Sequence, residues 1–183
     1  VINPKTSELT QELAKTFYEL RKAKGITLDE ANEKMLDPFY FATMLVKVGY
    51  ADGMVGGAEV STAKNLKPAL EIIKGKSGLV SSCFIFYGKN KFMKNKPFFL
   101  ADAGLVENPT SEGLSEIASQ TVKSAHDFIG LKPKLAFLSY STKGSAKGES
   151  IDKVRRAYEL FKEQNPQVPA DGELQLDASL IPE

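Results

Sequence analysis

The chain has 183 residues, of which 42% are hydrophobic and 26% charged, and a formal net charge of +1. That composition belongs to a soluble globular protein of one large domain or parts of two, and it offers no electrostatic case for nucleic acid or an acidic membrane as partner. The single cysteine excludes an internal disulfide framework and fits a reducing compartment; no apolar run approaches membrane-spanning length, and no signal-peptide pattern opens the chain.

In chain order, Asn3-Pro4 is a turn signal. Leu9, Leu13, Phe17 and Leu20 share one helical face, and Gly25 ends that helix. Thr27 and Glu30 have capping-box spacing and start a second helix, which Asp37-Pro38 breaks. Residues 39–48 read as a third, largely buried helix stopped at Gly49. The stretch that follows, 51–74, reads ADGMVGGAEVSTAKNLKPALEIIK. Met54 and Val55 suggest a short strand, Gly56 and Gly57 a turn, and Leu66, Ala69, Leu70 and Ile73 a helix. A strand feeding such a turn aims free N–H groups and the positive end of a helix dipole at one point, which suits an anion. Ser61 can cap this helix, with Pro68 then kinking it. Alternatively Asn65 caps it, which puts Lys67 and Pro68 in the first turn. In the second case an anionic ligand explains Lys67 better than stability does; an ordinary βα unit with a solvated lysine remains the competing explanation.

Residues 74–78, KGKSG, are the candidate boundary between helix-rich and strand-rich sequence. Residues 80–87 and 98–101 read as a hairpin around a long basic loop at 89–96. Pro109, Thr110 and Ser111 start a helix whose buried stripe is Leu114, Ile117, Ala118, Thr121, Ala125 and Phe128. Residues 134–138 form the next strand. Ile151, Val154, Tyr158 and Phe161 mark the following helix, which Pro166 closes, and 171–176 form a last strand. Alternating strands and helices argue an α/β fold with short, mainly parallel strands.

Between the strand at 134–138 and its helix lies SYSTKGSAKG, residues 139–148. Ser139, Ser141, Thr142 and Ser145 supply hydroxyls, Gly144 and Gly148 allow close backbone approach, and Lys143 and Lys147 supply charge. The loop matches neither a Walker A motif nor a G-x-G-x-x-G motif, and it reads equally as an anion site or as a polar surface loop. His126 reads as a surface or boundary residue near a helix C-terminus and Cys83 as a buried small hydrophobe. With one of each, neither a Cys–His dyad nor a zinc cluster is credible. Asp52, Asp102, Asp171 and Asp177 sit at strand ends, where acidic residues either gather ligands or cap turns.

The wording of the chain goes further. FYELRKAKGITLDEA, the 51–74 stretch, LADAGLVENP, LAFLSYSTKGSAKG and DGELQLDASLIP together resemble the phosphate acetyltransferase family nearly end to end. Phosphate butyryltransferase shares the fold, but the STKGSAKG loop and the DGELQLDA strand favour the acetyl enzyme. The resemblance implies an isocitrate/isopropylmalate dehydrogenase-like α/β fold, two lobes with the active site in the cleft between them. Here it is incomplete, with residues 1–76 part of the first domain and 77–183 most of the second. It implies interconversion of acetyl-CoA and phosphate with acetyl phosphate and CoA, in acetate metabolism. CoA is then a substrate, no cofactor or metal is permanently bound, and the full-length enzyme is a cytoplasmic homodimer. The arginine of the F-Y-E-L-R stretch, which helps bind CoA in the family, is Arg21. Lys67 stands where the family has a second arginine, keeping the charge but losing the bidentate fork. The substrate-binding surface implied here is Arg21, Ser61, Thr62, Lys67, Ser139, Ser141, Thr142, Lys143, Gly144 and Ser145. The family's D-L-S-R-G stretch, which holds a catalytic serine and arginine, does not occur between Val1 and Glu183. The chain therefore reads as an internal fragment with no catalytic residue of its own, inactive alone. A non-catalytic phosphate- or nucleotide-binding module of the same fold is the alternative.

Overall fold

The structure, a computed structural model, describes residues 1–73, 78–89 and 96–181. The chain divides into two units, Val1–Gly78 and Leu79–Glu183. Of the expected boundary at 74–78, residues 74–77 lie outside the described residues.

In the first unit, α1 (Leu9–Arg21) runs into a 3₁₀ turn, Lys22–Lys24, and stops at Gly25, whose φ of +86° is the left-handed conformation glycine takes freely. Helix α2 (Leu28–Met35) starts on the expected capping box. Glu30 N–H donates to Thr27 Oγ1 at 3.2 Å, and Thr27 N–H donates to the Glu30 carboxylate at 2.7 Å. Helix α3 (Pro38–Val48) starts on Asp37, which accepts from the N–H groups of Phe39 and Tyr40; Pro38 is at the first position, where its missing N–H costs nothing. Leu13, Phe17, Met35 and Met44 are wholly buried where these three helices meet, and Phe17 packs edge-on to Tyr40 with ring centroids 5.7 Å apart. Each such burial contributes about 1.5–3 kcal/mol. Leu20, expected on the same face, is 44% exposed at the end of α1.

No strand forms at Met54: among the described residues of this unit there is none. Gly53, Gly56 and Gly57 make an extended segment entropically costly, and no partner strand is at hand. Met54 instead turns its sulfur to Thr43 Oγ1, at 3.7 Å. Helix α4 (Thr62–Ile72) is capped by Ser61, whose Oγ accepts from Lys64 N–H, and it carries Pro68 in its interior. The Asn65 cap is therefore corrected, because the Asn65 side chain reaches back to the carbonyl of Gly56. Lys67 is not in the first turn, and the dipole argument for an anion beside it falls. Pro68 and Ile72 are the buried face; Leu70 and Ile73 are exposed.

In the second unit, β1 (Cys83–Tyr87) pairs antiparallel with β2 (Pro97–Ala101), Cys83 opposite Ala101 and Tyr87 opposite Pro97. Residues 90–95 of the expected loop lie outside the described residues. Helix α5 (Ser111–Ile129), capped by Thr110, buries Ser115, Ile117, Ala118, Thr121 and Ala125, whereas Phe128 is 70% exposed near the helix end. Strand β3 (Leu135–Leu138) lies parallel to β4 (Ala170–Leu174), and α6 (Glu149–Gln164) crosses between them. Phe137 of β3 meets Phe161 and Tyr158 of α6 edge-on, at 5.7 and 6.0 Å, with Ala118 of α5 in the same core. Among the described residues the strands are thus one antiparallel and one parallel pair rather than mainly parallel. The last strand ends at Leu174, and Leu176 opens a short helix, α7 (Leu176–Leu180).

Candidate functional site

The 139–148 loop leaves β3 and runs back along the end of β4. Ser139 N–H donates to the Leu174 carbonyl at 2.8 Å, and Lys143 N–H to the Glu173 carbonyl at 3.1 Å. The β3–β4 register slips at this point. Phe137 is opposite Gly172 and Leu138 opposite Leu174, which leaves Glu173 bulged. Its side chain is only 2% exposed. The carboxylate accepts from Ser141 Oγ at 3.1 Å, Gly144 N–H at 2.6 Å, and Arg155 Nε and Nη2 at 3.2 and 3.3 Å. The Arg155 guanidinium first, then the Gly144 N–H, hold its carboxyl down at about 2, so it stays ionised.

The loop's polar groups face one another. Ser141 is fully buried, and its Oγ also accepts from Ala146 N–H at 3.1 Å. Ser145 Oγ accepts from Thr142 N–H, and Ser139 Oγ accepts from Ser141 N–H. Thr142 Oγ1 accepts from Gln175 N–H and donates to the Gln175 amide oxygen. Every backbone N–H from residue 141 to 146 is thereby bonded within the loop or to Glu173. The hydroxyls expected to meet an anion are engaged within the loop or with Glu173 and Gln175, although Ser145 is exposed, and the loop's exposed charges are Lys143 and Lys147. Lys143 has a left-handed φ of 48°, and its ammonium pairs with Asp171 and lies 5.8 Å from the Tyr158 ring centroid. An open groove of about 510 Å³ follows this edge, between Lys143, Arg155, Tyr158 and Glu159. The sequence reading missed the Glu173–Arg155 pair; its one signal was an acidic residue inside the expected strand, between Gly172 and Leu174.

In the first unit, Arg21 sits in the last turn of α1, where the helix dipole favours a cation, and makes no side-chain hydrogen bond or ion pair among the described residues. It lines an open groove of about 590 Å³ together with Lys24, Glu30, Glu33, Lys34 and Glu71. In that groove Lys34 Nζ donates to Tyr40 Oη at 2.9 Å, and Tyr40 Oη donates to Glu71 at 3.0 Å. Nothing in the sequence announced this triad, because its members come from three different helices. Burial first, and then the Glu71 carboxylate, push the Tyr40 phenol up, although Lys34 opposes them. Ser61 and Thr62 lie exposed at the start of α4 and Lys67 exposed in its middle, one residue before the buried Pro68.

His126 is exposed and bonded to Asp127, as expected of a surface residue. Cys83 is half-buried rather than buried, and burial, with Asp102 nearby, pushes its thiol up, away from a nucleophilic thiolate. Asp102 serves a turn: it accepts from the N–H groups of Ser82, Gly104, Leu105 and Val106. Asp52 and Asp177 are exposed. Among the described residues no group of three or more His, Cys, Asp or Glu is placed to hold a metal, and no helix is long and apolar enough to cross a membrane.

A family model described as phosphate acetyl/butaryl transferase matches residues 1–183. A phosphate acetyltransferase of Acetivibrio thermocellus is 50% identical over 180 residues, covering 97% of this chain and 54% of the relative. One of Clostridium acetobutylicum is 44% identical over 188 residues, covering 98% and 55%. Among solved structures, a phosphotransacetylase from Streptococcus pyogenes superposes with a TM-score of 0.86 at 43% identity, over 99% of this chain and 54% of that one. The EutD phosphotransacetylase from Staphylococcus aureus gives 0.83 at 41% identity, over 99% and 55%. The chain spans about half the length of the relatives it matches. Since both the sequence and the fold match along essentially all of its residues, this chain belongs to the phosphate acetyl/butaryl transferase family.

Proposed function

We propose that the chain is part of a phosphate acetyltransferase, which transfers an acetyl group reversibly between CoA and phosphate. The observation that carries this is the family match over residues 1–183, joined by phosphate acetyltransferases at 44–50% identity. In the direction of acetyl-CoA synthesis, the CoA thiol gives up its proton and its sulfur bonds to the acetyl carbonyl carbon. The carbon–oxygen bond to phosphate then breaks, and phosphate leaves with the bonding pair. The developing oxyanion calls for a cation or N–H donor. Residues 1–76 and 77–183 are then parts of two α/β domains of an isocitrate/isopropylmalate dehydrogenase-like fold; the likeness to phosphotransacetylase structures supports the α/β class. The complete enzyme is a cytoplasmic homodimer that uses CoA as substrate and keeps no resident cofactor or metal. The 183 residues alone turn over no acetyl phosphate, because this chain lacks the family's D-L-S-R-G stretch.

In this reading Arg21, unpaired among the described residues at the end of α1, binds CoA phosphate, and Ser61, Thr62 and Lys67 belong to the same substrate-binding surface. Ser139, Ser141, Thr142, Gly144 and Ser145 shape the loop that carries Lys143. The test is steady-state kinetics on the complete gene product, with CoA and acetyl phosphate varied separately. Acetyl-CoA formation is expected, and its absence ends the proposal. Lys67→Arg is expected to raise kcat/KM about tenfold, since a guanidinium fork adds a second charge-assisted hydrogen bond, and Lys67→Ala to lower it by at least as much. If Lys67→Ala leaves both kcat and KM unchanged, Lys67 is a surface lysine.

A further inference from the structure

Five loop positions are tied to three consecutive residues, Glu173 to Gln175, at and just past the end of β4. Ser139 bonds the Leu174 carbonyl, Thr142 bonds Gln175, and Lys143 N–H bonds the Glu173 carbonyl. The other two, Gly144 N–H and Ser141 Oγ, go to the Glu173 carboxylate, which also takes the Arg155 guanidinium. Glu173 stands at the bulge of β4, and a bulge of this kind re-aims one side chain out of strand alternation. An ionised carboxylate 2% exposed is costly unless fully bonded, and here four donors from two elements converge on it. Arg155, 42% exposed at its side chain, closes the carboxylate off from solvent on the α6 side.

We propose that Glu173, clamped by Arg155, is a positioning residue of the acyl-transfer site: one buried carboxylate sets the 139–148 loop so that Lys143 and Lys147 meet a phosphate-bearing substrate. This rests on the reading of that loop as substrate-binding. Glu173 touches no substrate; it acts through the loop. With the N–H groups of 141–146 consumed internally, the loop's affinity for phosphate comes from its two ammonium groups, and Lys143, paired here with Asp171, exchanges that carboxylate for the phosphate. The phosphate belongs either to acetyl phosphate or to CoA, and separate KM values tell the two apart.

The experiment uses the complete gene product with Glu173→Gln, Arg155→Lys and the double variant Lys143→Gln/Lys147→Gln. Circular dichroism monitors folding, and kcat and the two KM values are measured for each. Glu173→Gln keeps the shape, but its amide must point a donor at one of the donors now bonded to the carboxylate. A rise of about tenfold or more is expected in one KM, with kcat changed less than about threefold and the fold intact. Arg155→Lys retains the charge without the fork and is expected to raise the same KM by a smaller factor. The double lysine variant is expected to raise that KM too. A folded Glu173→Gln enzyme with both KM values unchanged overturns the proposal, even if its melting temperature falls, because that is a purely structural role. If only the lysine variant moves KM, the loop binds substrate and the positioning role is wrong. If no variant moves KM, the substrate-site reading falls with it. Should Glu173→Gln fail to fold, Arg155→Lys decides: an unchanged KM in that folded variant overturns the proposal.

Discussion

At the scale of single residues, this structure turns on places where a backbone comes too close for a side chain or a side chain is consumed from inside. A Cβ on Gly172 would lie 2.7 Å from the Cβ of Phe137 and 3.4 Å from its carbonyl oxygen. Both belong to the paired strand β3 and cannot swing aside. Gly172→Ala is expected to cost about 1–3 kcal/mol in urea unfolding, because the strands must separate. Gly130→Ala is the contrast. At φ +63° it meets nothing within 4 Å, so it should cost only the left-handed penalty, about 1 kcal/mol. Equal losses for both would mean that the strand contact is relieved elsewhere. The hydroxyls of the 139–148 loop were legible as residue types, but their partners were not, because Glu173 takes the Ser141 hydroxyl and Gln175 the Thr142 hydroxyl from far along the chain.

At the scale of elements, the parts that sequence reading placed well are the ones fixed by neighbours. Thr27, Asp37 and Thr110 cap α2, α3 and α5 through contacts two or three residues away, and Gly25 and Gly49 stop the chain with left-handed backbones. The Met54 strand failed because a strand exists only by pairing, and the described residues of its unit supply no partner strand. The end of the hairpin shows the same dependence in reverse. Asp102 follows β2 and gathers the N–H groups of Ser82, Gly104, Leu105 and Val106 into one turn. Asp102→Ala leaves these donors without their anion and is expected to destabilise the unit by about 2–3 kcal/mol. Asp102→Asn should recover part of that, since Oδ1 alone accepts from Gly104, Leu105 and Val106. Thermal unfolding of the two variants checks the order; an Ala variant as stable as wild type would show the turn to be held by other contacts.

At the scale of the molecule, two depressed carboxylates predict an acid-sensitive stability. For Asp102, burial pushes its pKa up, but the N–H donors outweigh burial and hold it at about 2; Glu173 is held at about 2 by Arg155 and Gly144. A carboxyl whose folded value lies below its unfolded one binds fewer protons when folded, so it stabilises the fold above the unfolded pKa. That stability is lost as pH falls through the folded value. The window therefore runs from about pH 4.5, the ordinary glutamate value, down to about 2. The difference in unfolding free energy between wild type and Glu173→Gln is expected to be constant from pH 5 to 8 and to shrink below about pH 4.5. A difference independent of pH down to 3 would show that the Glu173 charge contributes nothing to stability.

The sequence by itself determined α1, α2, α3, α5 and α6 with their starts and stops, the hairpin, the βαβ order of the second unit and the family. Each of these rests on spacing within a few residues or on motif wording that travels with the chain. Tertiary structure alone decided that Lys67 stands exposed in the middle of α4, that Leu20 and Phe128 face outward, and that Tyr40 joins Lys34 and Glu71. It alone placed a bulged Glu173 beneath the 139–148 loop, with Arg155 across it. The reason is physical: a cap or a turn is satisfied by atoms already adjacent in the chain. A buried carboxylate needs donors from several elements at once, and which donors arrive depends on the packing of β3, β4 and α6.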